Sequence, residues 1–187
     1  LATLLLPSLA AAAVADGYRL AGVLAVGPEY LAILELPGGQ QQLVFFLADR
    51  VVGVSPTNGA RLWEHPHVTD FSMNACTPVW GPDGVLFFSS GYGVGSRGLR
   101  LSLANGRTEV EQLWFNRKVH VMHGSAVRVG DVIWASSGDF GPAFLVGVRA
   151  RAGEEVARMR GFAKANLVAS GERLVLLDEE GVLGLVS

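Results

Sequence analysis

Gly84-Val85-Leu86-Phe87-Phe88-Ser89-Ser90-Gly91 resembles Asp131-Val132-Ile133-Trp134-Ala135-Ser136-Ser137-Gly138, set 47 residues further on. The same offset carries Asn58-Gly59 onto Asn105-Gly106, Asn105-Gly106 onto Ala152-Gly153, and Phe115 onto Phe162. A period of about 40–50 residues belongs to two architectures, the four-stranded propeller blade and the HEAT-type helical pair. The finer pattern decides between them. The apolar runs are short, β-branched or aromatic, and glycine cuts them every ~8–12 residues, which is the punctuation of strands. Asn-Gly at 58–59 and 105–106 and Asp-Gly at 83–84 are hairpin signals, because both central residues of such a turn must tolerate positive φ.

The reading is therefore all-β: a β-propeller of four-stranded antiparallel blades. The first blade takes strands at 30–36, 42–48, 51–55 and 60–64, and the second takes 77–80, 85–89, 99–103 and 110–115. The third takes 125–129, 132–136, 145–150 and 155–160, and a fourth opens with 166–169, 173–177 and 182–186. The runs VLFF and LVLL do not alternate. Strands covered on both faces read this way, as the inner strands of stacked blades are. About three and three-quarters blades are counted, against about 4–8 in closed propellers. Three arrangements fit that number: a fragment of a larger propeller, a four-blade ring whose last blade is completed by 20–26, or self-association of an incomplete ring.

Bulk composition narrows the function classes. Half of the 187 residues are hydrophobic and only 17% are charged, which suits a packed core and argues against disorder. A net charge of −2 gives no basic excess to hold nucleic acid or anionic lipid. Cys76 is the only cysteine, so no disulfide forms within the chain. Residues 1–15, LATLLLPSLAAAAVA, form an uncharged apolar run ending in small-x-small. This reads as the remnant of a secretory signal, against the alternative of a buried helix or the end of a preceding element. It is too short for a membrane span of about 20 residues. The expectation is a periplasmic or extracellular protein whose propeller occupies 16–187.

The stretches VVGVSPTNGARLWEHPH, TPVWGPDGVLFFSSGYG, GSAVRVGDVIWASSGDFGPAFLVGV and GFAKANLVASGERLVLLDEEG resemble the PQQ-like, or quinoprotein-alcohol-dehydrogenase-like, β-propeller repeat family. That family holds both quinone-dependent dehydrogenases and non-enzymatic scaffolds. Its tryptophan-docking motif ends in glycine with tryptophan four residues on, and Gly59 and Trp63 match it. The resemblance implies that Trp63 packs between blades as an apolar anchor. Ser55 and Asn58 depart from the usual aspartate and threonine of the motif. After Gly106 the fourth residue is Val110, with Trp114 four further on, and after Gly153 it is Ala157. The family's enzymes hold the quinone beside an adjacent-cysteine disulfide and a calcium ion. A single cysteine excludes that disulfide here, and the sequence shows no calcium-ligand set. No cofactor is expected; PQQ enters by analogy alone.

Loops at blade ends are where such folds place function. His65-Pro66-His67-Val68-Thr69-Asp70-Phe71-Ser72-Met73-Asn74 joins the first two blades, and His120-Val121-Met122-His123-Gly124 occupies the equivalent junction after the second. Lys164 and Asn166 lie at the third junction. Imidazole and carboxylate suit zinc-like ions, but spacing of this kind is unspecific, and histidines hydrogen-bonded within loops are the plainer account. His65, His67, Asp70, Asn74, His120, His123, Lys164 and Asn166 form a candidate channel-lining set, with Trp63 and Trp114 as docking residues. No residue is assigned a catalytic or metal-binding role. Ser-Ser-Gly at 89–91 and 136–138 reads as hydroxyls bonding at a strand end, because no nucleophile elbow frames it. Gly91–Gly95 opens no helix and so is not a phosphate cradle, Asp178-Glu179-Glu180 reads as a solvated turn, and Asp139 as a structural residue. The expected function is a binding or scaffold propeller acting on a protein or small-molecule partner. The rival is a quinone- or metal-dependent oxidoreductase working through the histidine loops.

Overall fold

The computed structural model describes the backbone of residues 19–26 and 29–36 and all of residues 40–186; the apolar run at 1–15 lies outside the described residues. Sixteen strands form four antiparallel sheets, with no helix among the described residues. Sheet 1 holds β1 (Arg19–Val26), β2 (Glu29–Leu36), β3 (Gln40–Phe46), β4 (Arg50–Val54) and β5 (Arg61–Pro66). Sheet 2 holds β6 (Val79–Trp80), β7 (Val85–Ser90), β8 (Gly95–Ala104) and β9 (Arg107–Asn116). Sheet 3 holds β10 (Val127–Val129), β11 (Val132–Ser137), β12 (Phe144–Arg149) and β13 (Glu155–Met159). Sheet 4 holds β14 (Ala165–Ser170), β15 (Arg173–Asp178) and β16 (Leu183–Val186). Within each sheet the strands pair in chain order, as in a blade built by successive hairpins.

Residues 20–26 do not complete the last sheet. They belong to β1, which pairs with β2 from Val26↔Glu29 to Arg19↔Glu35. Only two residues separate these strands, and so short a connection returns the chain on itself as a hairpin. Sheet 1 thus carries five strands and sheet 4 three. The strand expected at 77–80 is reduced to Val79–Trp80, whereas β8 and β9 run to ten residues each.

The core lies between the sheets. Val44, Phe46, Val51 and Trp63 of sheet 1 meet Trp80, Leu86, Phe88, Leu99 and Leu101 of sheet 2. Val85, Phe87 and Trp114 of sheet 2 meet Ile133, Ala135, Val146 and Val148 of sheet 3. Leu145 and Trp134 of sheet 3 meet Leu167 and Leu176 of sheet 4. Every residue of β7 is buried, which explains its unbroken apolar run: its two faces serve two interfaces.

Tryptophan seats the sheets by lying over glycine. Trp63 pairs across the strands with Gly53, and a Cβ on Gly53 would come 2.0 Å from its Nε1. Trp114 pairs with Gly98, and a Cβ there would come 2.4 Å from its ring. Trp114 also covers Gly153 of sheet 3 and donates its indole N–H to Ala150 O at 2.7 Å. In sheet 3 the residue opposite Gly147 is Ala157, and Trp134, across the other side on β11, covers that glycine instead. The longer β8–β9 hairpin therefore explains the delay of Trp114. The ring keeps its place opposite glycine, and the turn has moved away from it. The Trp63 indole donates to buried Gln42 Oε1 at 2.7 Å, and Gln42 Nε2 donates to Thr108 Oγ1 of sheet 2 at 2.5 Å, so the amide bridges two sheets.

The serine pairs join consecutive sheets. Ser89 Oγ accepts the Val121 N–H at 2.9 Å, and Ser136 Oγ accepts the Ala165 N–H at 3.1 Å. Each hydroxyl satisfies a backbone donor where the chain crosses into the next sheet. Burial works against the Asp83 charge, but bonds from Arg128 and Arg151 of sheet 3 outweigh it and hold the carboxyl at about 2. No helix of the described residues is long and apolar enough to cross a membrane.

Candidate functional site

The connections between sheets and the β7–β8 and β11–β12 turns supply the candidate residues. His67 follows β5, where its N–H bonds Asp49 O at 2.8 Å. Its ring is fully buried, edge-on to Phe46 and Phe88 at 5.3 and 5.1 Å. Arg97 Nε lies 3.0 Å from His67 Nδ1. A guanidinium can only donate, so Nδ1 accepts and the ring proton sits on Nε2. Nε2–H then donates to Ser90 Oγ at 2.7 Å, Ser90 donates to Asn74 Oδ1, and Asn74 Nδ2 donates to Leu47 O at 2.6 Å and Ala48 O at 3.1 Å. Donor and acceptor alternate without conflict along this chain. Burial, then the Arg97 and His65 charges, push His67 down to about 3. It has neither a free lone pair for a metal nor the basicity to take a proton at neutral pH.

The other candidates lie elsewhere. His65, on β5, is half-buried beside Phe88; burial and then Arg97 lower its pKa. Asp70 is an exposed turn residue. His120 places Nδ1 3.3 Å from Asp139 Oδ2 and bonds Arg117 O through Nε2. Beside that pair is a cavity of about 370 Å³ whose lining includes Lys118, Phe144 and Arg158. His123, Lys164 and Asn166 do come together, around a smaller cavity of about 240 Å³ in which Lys164 Nζ stands 3.8 Å from Glu179 Oε1. The eight candidates thus fall into a buried relay with His67 and Asn74, a His–Asp pair, a small lysine-bearing cavity, a half-buried His65 and an exposed aspartate. Sequence reasoning missed a cavity of about 510 Å³ lined by Phe144, Arg160, Phe162, Glu179 and Glu180 among others.

It also missed an aromatic ledge. The Tyr92 ring stands 4.6 Å from Phe71 and 5.7 Å from Phe140, and its hydroxyl donates to Met73 Sδ at 3.7 Å. Phe71 and Phe140 are 65% and 78% exposed, and Val68 beside Phe71 in the chain is 68% exposed. Ser72 and Tyr92 both hold positive φ, 51° and 56°, a conformation that costs a non-glycine residue energy and recurs at functional sites. Asp139 Oδ2 accepts the Gly93 N–H at 3.0 Å and Thr69 Oγ1 accepts the Met73 N–H at 3.0 Å, so the loops beneath the rings are tied down. The sequence signal was present as aromatics inside glycine-rich and polar loops. The three rings come from segments more than twenty residues apart, so nothing local joined them.

The family resemblance implies a quinone held beside an adjacent-cysteine disulfide, and Cys76 is the only cysteine in the sequence. Cys76 is buried, and burial pushes its thiol up to about 12; it is an inert core residue. No group of three or more His, Cys, Asp or Glu side chains among the described residues is placed to hold a metal ion.

No family model and no curated protein matches the chain. Among solved structures, it is similar to a europium-containing methanol dehydrogenase, with a TM-score of 0.50 at 15% identity. The match covers 78% of this chain and 27% of that one, so the chain spans about a quarter of the length of the structure it resembles. Likeness at this identity shows the fold alone: antiparallel sheets, mostly four-stranded, consistent with propeller blades.

Proposed function

We propose that this chain is a propeller-type binding or scaffold protein whose working surface is its loop-bearing face, with no catalytic set of its own. One observation carries the reading: the loops bury His67 in internal bonds while holding Phe71, Tyr92 and Phe140 together in the open. Exposed apolar surface on tied-down loops is the mark of a site that takes a protein or small-molecule partner. Its composition, with a net charge of −2, speaks for a partner other than nucleic acid. The apolar run at 1–15 supports export to the periplasm or beyond. The competing oxidoreductase reading needs histidine donors that converge, and the candidate histidines fall into separate groups.

Native mass spectrometry with added PQQ, calcium and zinc separates the two. The expected result is an unshifted mass under all three additions. A stoichiometric shift that disappears in His120→Ala or His123→Ala would overturn the scaffold reading in favour of a cofactor-bearing enzyme.

A further inference from the structure

The ledge of Phe71, Tyr92 and Phe140 runs on into the cavity of about 370 Å³ beside His120, because Phe140 belongs to both. The lining of that cavity also includes Lys118, Phe144 and Arg158. The Arg158 guanidinium lies 4.8 Å from the centre of the Phe144 ring, and that of Arg160 lies 5.3 Å from it. The acids here are already engaged. Asp139 faces His120 Nδ1 and accepts the Gly93 N–H, and Glu155 accepts two bonds from Arg158, of 2.7 and 2.5 Å. Lys118 and Arg160 are exposed, so a local positive charge meets solvent in a chain whose net charge is −2. Beyond Phe144 the neighbouring cavity carries Glu179 and Glu180 instead. A carboxylate is therefore favoured on the Lys118 side alone.

This surface has the make-up of a protein interface. Aromatic residues, methionine and arginine are enriched at such interfaces, and Phe71, Met73, Tyr92, Phe140 and Arg158 supply all three kinds. A small molecule is held by burying most of its surface in a concave site, whereas Phe71 and Phe140 are 65% and 78% exposed and form a ledge. Rings beside cations also suit single-stranded nucleic acid. Here Asp70 precedes Phe71 and Asp139 precedes Phe140, and carboxylates beside the stacking rings repel a phosphate backbone.

We propose that this surface binds a segment of a partner protein in which an aromatic or large aliphatic side chain stands close in sequence to an aspartate or glutamate. The apolar side chain rests on the ledge, and the carboxylate enters the cavity beside Lys118 and Arg158. The proposal rests on the loop-face reading above and adds to it the chemistry of the partner.

The test is selection from a random library of short linear peptides displayed on phage, with the whole protein immobilised. The expected result is enrichment of sequences that join an aromatic or large aliphatic residue to Asp or Glu. Synthetic forms of these peptides are expected to bind about tenfold more weakly to Phe140→Ser and to Lys118→Glu, the loss typical of one well-placed interface contact. Both side chains are exposed, so the melting temperatures of the variants are expected to match the wild type; Phe71→Ser replaces Phe140→Ser if the latter lowers it. Selection repeated on Lys118→Glu is expected to yield fewer acidic peptides. No enrichment over a control protein, the result that further chain lying on the ledge would give, would overturn the proposal. So would phenylacetate or an oligothymidylate bound as tightly as the peptides. Peptides weakened by Phe140→Ser but not enriched in acids, or indifferent to Lys118→Glu, would remove the partner chemistry and leave the loop face standing. Peptides indifferent to Phe140→Ser bind elsewhere, and would remove the loop-face reading as well.

Discussion

His67 shows how far a residue's chemistry depends on what folds over it. A histidine in a polar stretch suggests a titrating or ligating group. Here its partners Ser90 and Arg97 lie 23 and 30 residues away in the chain, so no spacing in the sequence could announce the relay. The buried ring has consequences for stability. Its folded pKa of about 3 lies below the value of 6.5 expected when unfolded. In the interval between them the unfolded chain binds a proton that the folded chain refuses, so stability falls as pH falls. The contribution is complete above pH 6.5 and is lost as pH drops toward 3, at about 1.4 kcal/mol per pH unit, or about 2 kcal/mol by pH 5. Urea unfolding at pH 7 and pH 5 measures it. His67→Asn is expected to cost about 2 kcal/mol at pH 7, because Ser90 and Arg97 lose a buried partner, and to flatten the difference between the two pH values. An unchanged difference in the variant would show that the acid sensitivity originates elsewhere.

Strands were the most legible features of the sequence, because glycine and Asn-Gly turns cut the chain where hairpins turn and β7, buried on both faces, has no polar residue before its closing serines. The seating of the sheets was less legible. The glycine–tryptophan spacing is fixed only when the hairpin between them has constant length. The β8–β9 hairpin is extended, so Trp114 falls outside the spacing yet stands opposite Gly98 as Trp63 stands opposite Gly53. The true invariant is the cross-strand pair, which a count along the chain cannot see. Gly98→Ala is expected to cost about 2 kcal/mol, because its Cβ would fall 2.4 Å from the indole and a packed core resists an added carbon. Trp114→Ala is expected to cost about 4 kcal/mol through lost burial and an orphaned Ala150 carbonyl. In the Trp114→Ala background the alanine at 98 should cost close to nothing, because the ring it strikes is gone. Thermal or urea unfolding of the four proteins in a double-mutant cycle reads this coupling. Simple additivity of the two costs would mean that the indole and the glycine do not form a unit.

At the scale of the whole molecule, the repeat gave the sheets their number and order but not their ends. β1 pairs with β2 in sheet 1, whereas one of the three arrangements that fitted the count of apolar runs used 20–26 to complete the last sheet. This asymmetry, five strands at one end and three at the other, sets a gradient of local stability. Sheet 2 is covered on both faces and carries the long β8–β9 hairpin. Sheet 4 is covered on one face and ends at β16, four residues long with two of its leucines exposed. Local opening follows buried apolar contact, so the weakly covered unit opens first. Hydrogen exchange should therefore reach amides of 165–186 well before those of 85–90. If exchange at 165–186 is as slow as at 85–90, the gradient drawn from the exposed face of sheet 4 is wrong.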